Sequence, residues 1–200
     1  IALFPTKDYD RNGVFSGSAV EKDGKMYLYY TANRYLKEQD ENIHVADGEY
    51  EESQVMIISE DGFHFDNWNG KKQIRDDETA DSMDTRDPKV WEENGVYYMI
   101  LGSTYKHEIG RVILYSSKDG ENWSYLSQCR MKNYGYVIEC PDMFEVDGQR
   151  IFTGCPVTPV RCGDKIEYEA VSGYCLADFD TETGRLELED NYSLIDYGGD

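Results

Sequence analysis

The sequence predicts an all-β protein built from repeated units of about four strands, which is the architecture of a β-propeller. Tyr, Val, Ile, Phe and Trp collect in short runs, and Asp-Gly or Asn-Gly pairs separate these runs. One plan also recurs along the 200 residues, and long stretches of helical periodicity are absent from the sequence. A sandwich or barrel of stacked units is the alternative fold that these observations leave open.

The recurring plan is a strand, an Asp-Gly or Asn-Gly turn suited to positive φ, and a returning strand. It occurs at 16–31, 86–102 and 139–154. A second hairpin follows in two of the repeats, at 59–65 and 117–123, where the pattern Ser-x-Asp-Gly recurs. Repeat units are therefore expected near 14–68, 86–126 and 139–190. Within the last unit, Gly184 favours a hairpin turn over a short helix.

Composition narrows the classes of function. Forty Asp and Glu residues against 20 Lys and Arg give a net charge of −20, which disfavours nucleic acid and anionic membrane as partners. No stretch reaches the roughly 20 apolar residues that span a bilayer, and no secretion signal opens the chain. Five cysteines without CxxC spacing indicate reduced thiols rather than disulfides or a zinc site. These observations predict a cytoplasmic protein without a metal.

The first strands of the three repeats place polar residues at equivalent heads. If the units are related by rotation about one channel, the segments at 16–18, 86–88 and 139–142 converge on one axial pocket. Asp87 and Glu139 are then two carboxyl groups at one mouth, as the hydrolysis of a glycosidic bond requires. The apolar neighbours of Glu139 are expected to raise its pKa, which suits a general acid. Arg86 is expected to keep Asp87 ionised.

Other residues are weaker candidates for a sugar site. Phe15, Trp91 or Tyr134 could stack on a sugar ring, although core packing explains most aromatic residues of the chain better. A phosphorylated sugar would need cationic groups near its phosphate. The basic residues in predicted loops that could reach one are Arg34, Lys37, Arg161 and Lys165.

Four ordered segments resemble the motifs of glycoside hydrolase family 32, which contains invertases, sucrose-6-phosphate hydrolases, inulinases and levanases. The segment at 15–20 matches the family's FSGSAV, and that at 86–90 matches RDPKV. The segment at 139–144 matches ECPDLF with Met in place of Leu, and 195–200 resembles the start of LDYG-x-DFYA. The order and spacing of the motifs agree over nearly the whole chain.

The resemblance implies a five-bladed β-propeller, of which this chain covers about three complete blades, and a retaining mechanism that releases fructose from sucrose, sucrose 6-phosphate or fructans. It implies that Glu139 is the acid/base and that Asp87 stabilises the transition state. Arg86 and Cys140 would orient these carboxyls, and Phe15 and Ser16 would line the fructose subsite. No cofactor or metal is implied, and the partner is a small sugar or a fructan.

One motif of the family has no match in the sequence. The family's nucleophile is the Asp of a WMNDPNG segment, and Asp10-Arg11-Asn12-Gly13 echoes it only superficially, directly before the FSGSAV match. We therefore assign no nucleophile within this chain and, for that reason, expect the fragment alone to be inactive. The family's C-terminal β-sandwich is also expected to lie outside these 200 residues. Two alternatives stay open: a non-catalytic sugar-binding propeller, and an enzyme of another specificity, such as a fructosyltransferase or a pentosan hydrolase.

Overall fold

A computed structural model describes residues 1–36, 50–74, 83–162 and 165–196. Every regular element in these ranges is a strand, apart from one 3-10 turn at Asp8–Asp10. The strands are β1 (Gly13–Lys22), β2 (Lys25–Tyr35), β3 (Tyr50–Ser59), β4 (Lys72–Ile74), β5 (Arg86–Glu93), β6 (Val96–Tyr105), β7 (Ile109–Ser117), β8 (Ser124–Met131), β9 (Val137–Val146), β10 (Gln149–Cys162), β11 (Lys165–Ala170), β12 (Gly173–Asp180), β13 (Arg185–Leu188) and β14 (Ser193–Leu194). The prediction of an all-β protein is confirmed.

The strands form three sheets. Two of them have four strands in chain order, β1-β2-β3-β4 and β5-β6-β7-β8. The remaining sheet has the order β11-β10-β12-β13, with β9 also paired to β10 and β14 to β12. The sequence did not predict β11, which pairs with the distal half of the long strand β10, from Val157 to Cys162.

The predicted hairpin turns are present because their residues tolerate positive φ. Each Asp-Gly or Asn-Gly pair that joins the first two strands of a repeat has positive φ at both residues: Asp23 and Gly24, Asn94 and Gly95, and Asp147 and Gly148. Gly184 also has a positive φ, at 73°, and lies in the turn between β12 and β13, so the predicted hairpin there is confirmed.

The two Ser-x-Asp-Gly segments fold into the same turn, which follows β3 in one case and β7 in the other. Ser59 Oγ accepts a hydrogen bond from Gly62 N at 3.0 Å, and Ser117 Oγ accepts one from Gly120 N at 2.9 Å. In each turn the Asp carboxylate also accepts hydrogen bonds from the backbone two and three residues later. The local pattern therefore favours the same turn at both connections, and in the second one the Tyr29 hydroxyl also donates to the carbonyl of Gly120 at 2.7 Å.

The chain divides into two compact units. The first comprises Ile1–Met99 and Ser116–Ser124, and the second comprises Ile100–Tyr115 and Tyr125–Asp200. In the first unit, one face of the β1–β4 sheet buries Tyr30, Ala32 and Val55 against the segment that precedes β1. In the second unit, Val137 and Ile138 at the start of β9 are fully buried.

A buried ion pair ties the segment before β1 to the first sheet. Lys71 Nζ lies 2.6 Å from Asp10 Oδ2, and neither side chain is exposed. Asp10 also accepts hydrogen bonds from the backbone of Thr6 and Lys7, and Lys71 donates to the carbonyl of Phe4 at 2.7 Å. Burial alone would raise the pKa of Asp10, but Lys71 and these backbone groups outweigh it and hold the pKa below its usual value. Asp10 is thus a structural anchor.

Candidate active site

Two of the predicted strand heads share one backbone device, a residue with positive φ directly before a proline. Asp87 has φ 61° before Pro88, and Cys140 has φ 46° before Pro141. Positive φ is unfavourable for residues other than glycine, and a residue before proline ordinarily prefers the extended region. Because the device aligns Asp87 with Cys140, it aligns Arg86 with Glu139. The two predicted carboxyl residues, Asp87 and Glu139, are therefore offset by one residue in this alignment.

In the first unit, two carboxylates hold the guanidinium of Arg86. Its Nη1 lies 3.1 Å from both oxygens of Glu52 and 3.1 Å from Oδ1 of Asp84. The Glu52 side chain is 1% exposed and that of Arg86 is 13% exposed, so solvent screens this contact little. Tyr50 donates its hydroxyl to the same oxygen of Asp84 at 2.7 Å. The Arg86 head is thus packed into an acidic, largely buried cluster.

The backbone around Asp87 is held by polar side chains of β2 and β3. Asp87 N donates to Thr31 Oγ1 at 2.8 Å, and the Thr31 hydroxyl donates to Gln54 Oε1 at 2.9 Å. Gln54 Nε2 in turn donates to the carbonyl of Thr85 at 2.9 Å, while Thr85 N donates to Glu52 at 2.9 Å. These bonds support a strained residue that is only 7% exposed.

Sequence reasoning missed these supporting residues. Glu52 and Gln54 occupy alternate positions near the start of β3, within the polar run at 51–54, and both are buried. In the sheet register, Thr31 stands opposite Gln54 and Asn33 opposite Glu52, so their side chains share one sheet face. Because all four residues at 51–54 are polar, the sequence carries no local signal that separates the two buried side chains from their neighbours.

Burial dominates the acid–base behaviour of this cluster. Desolvation raises the pKa of Glu52 to about 7, and Asp84 adds to the rise while Arg86 opposes it. Desolvation, together with the hydrogen bond to Asp84, also raises the pKa of Tyr50. Glu52 is therefore a carboxyl that exchanges its proton near neutral pH beside the predicted site.

The FSGSAV segment lies in β1 and fastens that strand to β5. Ser18 Oγ donates to the carbonyl of Pro88 at 2.8 Å and accepts a hydrogen bond from Val90 N at 2.9 Å. A Cβ at Gly17 would lie 1.9 Å from the carbonyl oxygen of Tyr29, so glycine permits the register shift in β1. Phe15 and Ser16, on this irregular stretch, are both exposed, and Phe15 is 41% exposed.

In the second unit, Glu139 is half-buried near the start of β9 and stands opposite Cys155 of β10. Cys140 is exposed at the positive-φ position that follows it. A Cβ at Gly102 would lie 2.2 Å from the carbonyl oxygen of Ile138, and one at Gly154 would lie 3.0 Å from the Ile138 side chain. Two glycines thus let β6 and β10 close on the residue directly before Glu139.

The other aromatic candidates for a sugar subsite pack against protein groups. Tyr134 is 2% exposed and donates to the carbonyl of Glu189 at 3.1 Å, so the core interpretation is confirmed and a role in a sugar subsite is wrong. Trp91 stacks on Tyr98 with ring centroids 5.5 Å apart.

Of the cationic candidates for a phosphate, two lie in strands rather than loops. Arg34, in β2, is held by Asp8 and Glu51, and Arg161 is in β10. Lys37, the side chain of Lys165 and the end of the 195–200 motif from Tyr197 onward lie outside the described residues.

Thiols are present at four cysteines, Cys129, Cys140, Cys155 and Cys175, and the side chain of Cys162 lies outside the described part. Within the described ranges, no group of three or more His, Cys, Asp or Glu residues is arranged to hold a metal ion. In the same part of the chain, no helix is long and apolar enough to cross a membrane.

The strand heads, their glycines and the RDP and ECP segments together define a class of protein. Residues 1–200 match the sequence model of the glycosyl hydrolases family 32 N-terminal domain, and the chain belongs to that family. It is 31% identical over its whole length to the sucrose-6-phosphate hydrolase of Bacillus subtilis, of which it covers 40%. It is 32% identical to that of Staphylococcus xylosus, with 98% of this chain and 37% of the relative covered.

Solved structures give the same likeness. A mutant of the family 32 beta-fructofuranosidase of Bombyx mori, in complex with sucrose, superposes with a TM-score of 0.73 at 31% identity, covering all of this chain and 40% of that one. The sucrose-6-phosphate hydrolase of Lactobacillus gasseri shares the fold, with a TM-score of 0.68 at 23% identity over 96% of this chain and 38% of that one. The chain thus spans about 40% of the length of the relatives it matches.

Proposed function

We propose that the protein containing this chain hydrolyses sucrose-type β-fructosides. The observation that carries the proposal is the match of the whole chain to the family 32 domain, with the RDP and ECP segments both placed at strand heads. Relatives named sucrose-6-phosphate hydrolase and a related beta-fructofuranosidase in complex with sucrose support the substrate class. Sucrose, sucrose 6-phosphate and short fructans are the substrates to compare.

The proposed chemistry is a retaining double displacement with two carboxyl groups. Glu139 protonates the leaving oxygen and later activates water, and Asp87 stabilises the positive charge that develops on the fructosyl ring. Arg86 and Cys140 orient these groups, while Phe15 and Ser16 line the fructose subsite. The nucleophile is an Asp of the WMNDPNG type, which the sequence of this chain does not contain.

We propose that the three sheets belong to a five-bladed β-propeller. Two sheets with four strands in chain order support this architecture, because four antiparallel strands make a usual propeller blade. The repeat units predicted near 14–68, 86–126 and 139–190 are the corresponding blades. The cytoplasmic location stays a prediction. That nucleic acid and membrane are not partners also stays a prediction, which rests on the acidic composition.

The test is the variant Glu139→Gln in the full-length protein, assayed on sucrose, sucrose 6-phosphate and inulin. Loss of the acid/base is expected to lower kcat by about 10²- to 10⁴-fold. Glu145→Gln is the matched control, since Glu145 lies exposed on the same strand. A wild-type protein that releases no fructose from any of the three substrates, or a fully active Glu139→Gln variant, contradicts the proposal.

A further inference from the structure

Glu52 is a buried carboxylate that the proposed chemistry does not use. It lies on β3, and its side chain is 1% exposed. A carboxylate removed from water to this extent needs compensating bonds, since burial of an unpaired charge is strongly unfavourable. The hydrogen-bond partners of Glu52 therefore indicate its structural role.

The contacts converge on the two residues directly before Asp87. Both carboxylate oxygens of Glu52 lie 3.1 Å from Arg86 Nη1, and Oε2 accepts the hydrogen bond of Thr85 N at 2.9 Å. Glu52 thus fixes a side chain and a backbone group of adjacent residues at once. Charge-assisted bonds of this kind are stronger and more directional than neutral ones.

The neighbouring residue on the same face of β3 completes the clamp. Gln54 Nε2 donates to the carbonyl of Thr85, so β3 holds both the N–H and the C=O of that residue. Asp84 supplies a second carboxylate to Arg86, and its own φ is 56°. The chain from Asp84 to Asp87 therefore enters β5 through two positive-φ residues, which local preferences alone would not maintain.

We propose that Glu52 is a positioning residue for catalysis, which sets the Arg86 guanidinium and the Asp87 carboxyl through the clamp on Thr85 and Arg86. The inference rests on the proposed function of Asp87 and Arg86. Glu52 itself acts through these two residues. Its removal should disturb turnover more than substrate binding, since a displaced transition-state stabiliser lowers kcat.

The kinetic test compares Glu52→Gln with wild type in the full-length protein, on the fructoside that the wild type cleaves best. The change keeps the side-chain volume and one acceptor for Thr85 N but removes the negative charge that faces Arg86. We expect kcat to fall about 10²-fold, the effect of a misplacement near 1 Å, with KM changed much less. Kinetics are measured at about pH 8, because burial raises the pKa of Glu52 to about 7 and the carboxyl is mostly ionised there.

A matched control and a double-mutant cycle separate positioning from general damage. Glu51→Gln changes the adjacent residue of β3, whose partly exposed carboxylate pairs with Arg34 instead, and should leave kcat and KM unchanged. In an Arg86→Ala background, Glu52→Gln should cost less than about twofold, because the two residues act as one unit. Independent, multiplicative losses would overturn the inference.

Hydrogen exchange decides the same question without activity. Glu52→Gln should speed exchange at the amides of Thr85 and Asp87 about tenfold, while the amides of β7 keep their rates. If the wild type cleaves no fructoside, the proposed function fails. The exchange rates then test by themselves whether Glu52 holds Thr85 and Arg86 in place. Unchanged exchange, or an unchanged kcat in an active enzyme, refutes the positioning role of Glu52.

Discussion

The substitution Gly102→Ala tests how the second unit positions Glu139. Gly102 is buried in β6, and its backbone φ is not in the positive region, so alanine meets no conformational penalty there beyond its contacts. The added Cβ would lie 2.2 Å from the carbonyl oxygen of Ile138 and 3.3 Å from Pro141 Cδ. The closest collision is thus with backbone, which cannot rotate away as a side chain can.

The size of the displacement follows from these distances. A carbon and a carbonyl oxygen approach to about 3.3 Å in ordinary close contacts, so the Ile138 peptide must move by roughly 1 Å. Ile138 cannot move freely, because Gly154 of β10 already brings it close to van der Waals contact on another side. The strain should lower the free energy of unfolding by about 1–3 kcal/mol, the usual range for overpacking.

The same displacement reaches the proposed acid/base directly, since Glu139 follows Ile138 in the chain. We expect kcat on the preferred fructoside to fall about 10²-fold in the full-length protein. Gly173→Ala is the control, because its Cβ would meet the ring of Tyr192 at 2.6 Å rather than a backbone atom next to Glu139. A Gly102→Ala enzyme with wild-type kcat and wild-type thermal stability would refute the reasoning.

Two further predictions concern stability. Lys71→Met leaves the Asp10 carboxylate buried without its ammonium partner and should lower the free energy of unfolding by about 3–5 kcal/mol, measured by urea denaturation near pH 7. The loss should shrink as the pH falls below the ordinary Asp pKa of 3.8. The reason is that the lowered pKa of Asp10 in the folded state stabilises the fold fully above 3.8, and this stabilisation disappears as the pH falls through that lowered pKa. For Glu52 the pH dependence of stability has the opposite sign, because a pKa raised from 4.5 to about 7 favours the folded state at low pH. That contribution, on the order of 3 kcal/mol, should be lost as the pH rises from 4.5 through 7, and a wild-type minus Glu52→Gln stability difference that is constant from pH 5 to 8 would contradict it.

Local chemistry explains which parts of the fold could be predicted. The turn at Asp147 and Gly148 depends on positive φ at two adjacent residues, and the turn after Ser117 depends on bonds that span at most three residues. Such features are written in consecutive residues and need no knowledge of the distant chain. The existence of the hairpins was therefore predictable, together with the strands that flank them.

Long-range pairing explains what could not be predicted. Glu52 and Arg86 are 34 residues apart, and Asp10 and Lys71 are 61 apart, so only the register of the sheets brings each pair together. In a sequence with 40 Asp and Glu residues, nothing local distinguishes a buried carboxylate from a solvated one. β11 was missed for a related reason: it pairs only with the distal half of β10, and the repeat plan ends before that half.

The positive-φ residue before proline explains why the predicted site residues differ in type between the two strand heads. A residue with positive φ interrupts the alternation of a strand and re-aims the side chains around it, so a functional group can be placed at the positive-φ position or directly before it. In the first unit the shorter carboxyl, Asp87, occupies the positive-φ position and a cation precedes it. In the second unit a thiol occupies that position and the longer carboxyl, Glu139, precedes it. Each such residue costs on the order of 1–3 kcal/mol, so the fold keeps the same strained geometry at two strand heads while the chemistry attached to it differs.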